Sequence, residues 1–279
     1  MPQILRFSLI GALPEGLPEG PFTVANALRA VVLRWIHRAD PAAAEQIHGA
    51  NQPKPYMVGP LAGEGQESWF DVSVLADWLV PVLLEGARQD GPRLQLGPYP
   101  FQRGGHGERV AKADWEELYS APLPREALWR VALWTPTAHH PAGGLRRPVI
   151  LPTPANYFGS WQSRWELCCE LPLAAGLRSV VLDHMIVASC AGQTREVHLQ
   201  DRAGGGGADR LFCGFVGEVT FQVLPPGDQD RDVLRSLHAL ARLSPFCGTG
   251  VETMRGMGQT QLLAPKVPVS KARVTTTSR

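Results

Sequence analysis

The chain has 279 residues, with 27 lysines and arginines against 26 aspartates and glutamates and 44% hydrophobic residues. That hydrophobic fraction excludes wholesale disorder, and the length suits about two domains with a sizeable core. The net charge of +1 excludes a histone-like polycation. It does not exclude a nucleic-acid binder, because binding needs a local basic patch rather than a basic total. No apolar run reaches the length of a membrane span, so no membrane partner is expected. The N-terminal apolar stretch reads as a first strand rather than a targeting signal. The five cysteines form no C-x-x-C pair and no zinc spacing with histidine. They read as buried reduced thiols of a cytoplasmic protein.

The alternation of Leu5, Phe7 and Leu9 predicts a strand over Ile4–Ile10. A helix follows from Thr23 to about Ala39, with Val24, Leu28, Val31 and Trp35 on its inner stripe. Asp40-Pro41 opens a short second helix that stops at His48-Gly49. Pro55–Leu61 and Ser68–Val74 read as strands around a Gly-rich turn, Leu75–Arg88 as a helix and Arg93–Phe101 as a strand. This is β-α-β-β-α-β, the ferredoxin-like order. The second half repeats it loosely. Leu128–Trp134 reads as a strand and Ala155–Cys169 as a helix. Ser179–Ser189 and Arg195–Leu199 read as paired strands, and Leu211–Leu224 as a third. Asp230–Leu243 is an amphipathic helix, and Gln259–Leu263 a last strand. The expected fold is therefore α+β, two tandem ferredoxin-like domains over residues 1–122 and 123–265. Residues 266–279 read as a flexible tail with four basic residues and no acid.

The segment from Phe246 to Gln259 carries four glycines, Gly248, Gly250, Gly256 and Gly258, with Thr253 and Arg255 among them. It is neither a P-loop nor a dinucleotide fingerprint, since no Gly-Lys-Ser/Thr closes it and it runs from helix to strand. Two readings stay open on composition: backbone amides offered to an anion, or a tight connection.

With its flanking elements this loop, F-x-G-x-G-x-x-T-x-x-G-M-G-Q, resembles the C-terminal end of the CRISPR-associated repeat endoribonucleases, the sixth CRISPR-associated family within the RAMP superfamily. Leu133-Trp-Thr-Pro-Thr137 resembles the family's S/T-P-T strand end. Leu151–Trp165 resembles its P-x-P…F-x-S-x-x-x-R-W helix, and the segment from Ile47 to Tyr56 its H…K-P-F/Y segment. The resemblance implies two ferredoxin-like domains and cleavage of precursor CRISPR RNA within the repeat, without metal or other cofactor. It makes the repeat RNA the expected partner, with a CRISPR effector complex as a second. A non-catalytic RAMP subunit that binds crRNA is the alternative.

Metal-free cleavage needs a base for the 2′-OH, an acid for the departing 5′ oxygen and a cation for the phosphate; histidine and lysine suit these roles. The resemblance points to His48 and Lys54 as the catalytic pair. The end of a helix suits His48 as an acid. Some members carry a tyrosine in the first helix. This chain has none there, and His37 is the available substitute, sharing a helix face with Arg34. Expected RNA contacts are Arg34, Arg146 and Arg147 beside the His139-His140 pair, and the loop residues Gly248, Gly250, Thr253, Arg255, Gly256 and Gly258. The His139-His140 pair lacks the further ligands a metal would need.

Overall fold

The computed structural model describes residues 1–15, 17, 20–49, 53–64, 66–140, 148–200, 209–225 and 229–264. Two antiparallel sheets organise it. The first runs β2–β4–β1–β6–β5, with β3 added to β4 and β7 to β1. Its strands are β1 (Gln3–Ile10), β2 (Tyr56–Val58), β3 (Ala62–Glu64), β4 (Glu67–Val74), β5 (Arg93–Leu96), β6 (Tyr99–Arg103) and β7 (Glu108–Lys112). Helices α1 (Ala25–Ala39) and α3 (Leu79–Asp90) pack on each other, and the short α2 (Pro41–Gly49) packs on α1. The alternation in β1 aims Leu5, Phe7 and Leu9 at the helices, where all three are buried. Phe7, Trp35 and Phe70 form an aromatic cluster, with centroids 4.8 Å apart for Phe7–Trp35 and 5.4 Å for Phe7–Phe70. Such pairs add about 1 kcal/mol each beyond their buried area. Gly86 lets α3 press against the main chain of α1, because a Cβ there would fall onto the Trp35 carbonyl.

The second sheet runs β11–β8–β10–β9. Its strands are β8 (Leu128–Thr137), β9 (Met185–Gln200), β10 (Asp209–Val223) and β11 (Thr260–Leu263). Its helices are α4 (Trp115–Ser120), which packs on α7, α5 (Pro154–Cys168), α6 (Leu177–Asp183) and α7 (Arg231–Cys247). Taking β8 as the first strand, the order is 4-1-3-2 with both crossovers through helices, the ferredoxin-like arrangement expected from β-α-β-β-α-β. Thr153 caps α5 by accepting from the Asn156 amide at 3.3 Å, and Asp230 caps α7 by accepting from Asp232 at 2.8 Å.

Several elements differ from expectation. Ser179–Asp183 is helix, not strand: Gly176 opens a turn there, and Leu177, Val180 and Val181 bury one face. Arg195–Leu199 is no separate strand, because β9 is continuous and pairs with β10 along its whole length. The strand expected over Arg93–Phe101 is a hairpin, turned at Gly97 with φ +63°. β3, β7 and α4 were not expected; all are short, and β7 has no fully buried residue to mark it. α3 starts at Leu79 rather than Leu75. Gly204–Gly207 and the basic tail lie outside the described residues.

Arg34 and Arg38 of α1 both engage Asp90 at the end of α3, at 2.6 and 3.1 Å, and the Trp35 indole donates to the same carboxylate at 2.9 Å. Burial raises the Asp90 pKa, but the hydrogen bonds from Arg34 and Trp35 and the charges of Arg34 and Arg38 outweigh it and hold the carboxyl below its ordinary value. A depressed carboxyl stabilises the fold above its unfolded pKa, and that stability is lost as pH falls through the folded value. Both arginines are half exposed, so solvent screens the pairs. Asp90→Ala is expected to cost about 2 kcal/mol, mainly from the orphaned indole and the lost charged hydrogen bonds. Urea denaturation at pH 7 and pH 3 checks this: the difference between variant and wild type narrows at pH 3.

Candidate active site

α2 ends at Ile47-His48-Gly49, leaving its last carbonyls without helical partners. The Lys54 ammonium supplies them, donating to the Ile47 carbonyl and, at 3.3 Å, to the His48 carbonyl. Lys54 is buried, whereas the His48 side chain is exposed beside it. The fold thus brings together the two residues singled out in the segment from Ile47 to Tyr56, of which residues 50–52 lie outside the described residues. Burial lowers the Lys54 pKa, and the nearby Arg29 guanidinium lowers it further. Arg29 also faces Tyr56, whose buried hydroxyl has no hydrogen-bond partner among the described residues. Burial drives the Tyr56 pKa well above the ordinary phenol value, against the pull of Arg29. Arg29 and Tyr56 are site neighbours that spacing alone did not mark. Tyr56 already stands in the K-P-Y segment, and Arg29 meets it only because α2 folds back along α1.

His37 does not join this group. It is exposed near the end of α1, eight residues beyond Arg29, which is about 12 Å along a helix. Nearly the whole of α2 separates it from His48. Arg34 is on the same exposed face as His37 and is clamped to Asp90. Arg146 and Arg147 lie outside the described residues.

The glycine loop makes a tight connection in which many of its amides are used within the fold. The amides of Gly248, Thr249, Val251 and Gly258 donate to the carbonyls of Ser244, Gly258, Ala138 and Pro136. Those of Gly250 and Gln259 donate to the hydroxyls of Ser160 and Thr135, each at 2.9 Å. These amides are therefore not free to cradle an anion. Thr253 is buried against Arg164 at 3.4 Å, and Arg255 pairs with Glu252 at 3.5 Å. The loop instead holds the two halves together. Met254 enters the core of the first sheet, Ser73 donates to the Phe246 carbonyl, and Gly248 and Gly256 abut Met57 and Pro60. Pro53, one residue before Lys54, lines a cleft together with residues of α5.

The profile of the family described as CRISPR-associated endoribonuclease Cas6 matches residues 131–260. That span takes in the S/T-P-T strand end, α5 and the glycine loop. Over that span the chain is similar to the Cas6 endoribonucleases. The solved structure of the Thermus thermophilus Cas6 TTHB231 in a product complex is similar over 94% of this chain and 100% of that one, with 25% identity and a TM-score of 0.76. A product complex of another Cas6, TTHA0078, shares the fold at 22% identity and a TM-score of 0.70, with the same coverage of 94% and 100%. No curated protein matches the chain. Among the described residues, no helix is long and apolar enough to cross a membrane.

Proposed function

We propose that this protein acts as a Cas6 endoribonuclease, cutting precursor CRISPR RNA within the repeat by a metal-independent transesterification, with His48 and Lys54 at the cut. The observation that carries the reading is the Lys54 ammonium seated on the last carbonyls of α2 beside the exposed His48, with Arg29 adjoining. The family and the likeness to Cas6 product complexes supply the substrate class. Two cations in one partly dry neighbourhood repel each other, and a phosphate between them relieves that repulsion. In this scheme a base removes the 2′-OH proton and the 2′ oxygen bonds to phosphorus. The bond from phosphorus to the 5′ oxygen breaks, and an acid protonates that oxygen. The products are a 2′,3′-cyclic phosphate and a 5′-OH. Lys54 and Arg29 balance the charge that gathers on the phosphate oxygens. His48 supplies one of the two proton transfers.

The test is incubation of the protein with labelled repeat RNA in EDTA, with the product 3′ end determined by mass. A single cut ending in a 2′,3′-cyclic phosphate is expected. Tight binding without any cut overturns the enzyme in favour of a crRNA-binding subunit. Affinity should also fall steeply with salt, as it does wherever cations replace counterions on phosphate.

A further inference from the structure

A cleft of about 320 Å³ opens between α5, the end of β8 and the glycine loop, with Pro53 on its rim. Arg164 forms part of its wall. Its guanidinium is buried, and no carboxylate among the described residues pairs with it. The charge is held only by neutral oxygens: the carbonyls of Ser160 and Gly250, both at 2.9 Å, and the hydroxyls of Ser160 at 2.7 Å and Thr253. A buried cation without a counter-ion favours an anion at the nearest open space.

Ser160 transmits that preference. Its hydroxyl oxygen accepts from Arg164 at 2.7 Å and from the Gly250 amide at 2.9 Å. Both lone pairs are thereby used, and the hydroxyl proton has no acceptor among the described residues. A hydroxyl in that state is a donor, and the adjoining guanidinium polarises it further. The Asn156 side chain and the exposed His140 stand on the same cleft. Its volume is several times that of a phosphate alone and suits a single nucleotide.

We propose that this cleft is a subsite for one RNA nucleotide flanking the cut, with the Ser160 hydroxyl donating to its phosphate and Arg164 charging that donor from behind. This rests on the reading of the protein as a repeat-RNA processor, and it adds a binding position at a cleft lined in part by Pro53, the residue before Lys54. Ser160 is a contact residue here and Arg164 a positioning residue.

The experiment is a methylphosphonate scan, in which each phosphate near the cut is made neutral in turn. The RNA carries a 2′-deoxy sugar at the cut, so affinity is read without cleavage. In the wild-type protein, one neutralised position is expected to weaken binding about tenfold, the size of one hydrogen bond to a charged group. In Ser160→Ala the same position should cost nothing further, while all other positions cost what they cost in wild type. Asn156→Ala, whose side chain serves no internal bond of the loop, should halve the effect or more at that same position. It keeps the test valid should Ser160→Ala unfold. Equal costs in wild type and both variants at every position overturn the subsite. Displacement of the RNA by submillimolar AMP also overturns it, in favour of a free-nucleotide site. RNA that is cut normally without coupling removes the subsite and leaves the enzyme. Coupling with no cutting of all-ribose RNA does the reverse, and absence of any RNA binding removes both.

Discussion

His48→Ala is expected to lower the single-turnover cleavage rate by about 10²- to 10⁴-fold, the usual contribution of one positioned acid or base. The affinity for repeat RNA should stay within a few-fold of wild type. The separation follows from where the side chain stands. His48 is exposed in the last turn of α2 and contributes to the fold through its carbonyl, which alanine keeps. Neither the Lys54 cap nor the packing of Ile47 depends on the imidazole. The measurement is a single-turnover time course in EDTA beside a filter-binding titration on uncleavable RNA. Cleavage that survives in His48→Ala moves the proton transfer elsewhere, with His37→Ala as the next variant. Loss of binding together with loss of cleavage makes His48 an RNA contact instead. Lys54→Ala is the less informative variant, since it removes a phosphate cation and a helix cap together. Lys54→Arg keeps the charge and the cap donors, so its rate reports on geometry at the phosphate.

The architecture was legible where burial is one-sided and long. The alternation in β1 and the stripes of α1 and α7 each state their element locally. It was illegible where context overrides pattern. Ser179–Asp183 is rich in valine and leucine and reads as strand. It is helical because a turn at Gly176 directs one face onto α5 and α7. His48 and Lys54 were marked by the resemblance of their segment, and the fold brings them, six residues apart, to a single helix end. Arg29 was not marked, because its approach to Lys54 is a product of the packing of α2 on α1. The glycine loop shows the same limit from the other side. Its composition allowed two roles, and the partners its amides find on β8, α5 and α7 could not be read from it. Arg164 and Ser160 stood in a recognisable helix motif, yet their relation to a cleft depends on that loop folding over them.

Gly258→Ala follows from this structural role of the loop and should be the most destabilising small substitution in the second half. Gly258 has φ +67°, in the left-handed region that costs alanine about 1 kcal/mol. An added Cβ would also fall onto the Thr249 carbonyl, which is backbone and cannot swing away. Overpacking of that kind costs about 1–3 kcal/mol more. Relief by moving Thr249 is blocked, because its hydroxyl accepts from the Trp161 indole at 2.9 Å and meets Thr260 at 2.6 Å, both inside the core. The expected total is about 3 kcal/mol, or a fall in Tm of about 10 °C for a protein of this size. Thermal unfolding measures it. Cleavage assayed well below the lowered Tm should remain within a few-fold of wild type. A variant with unchanged Tm and lost RNA binding would restore the anion-cradle reading of the loop. A lower Tm with preserved cleavage ties these glycines to the corner where the two sheets meet.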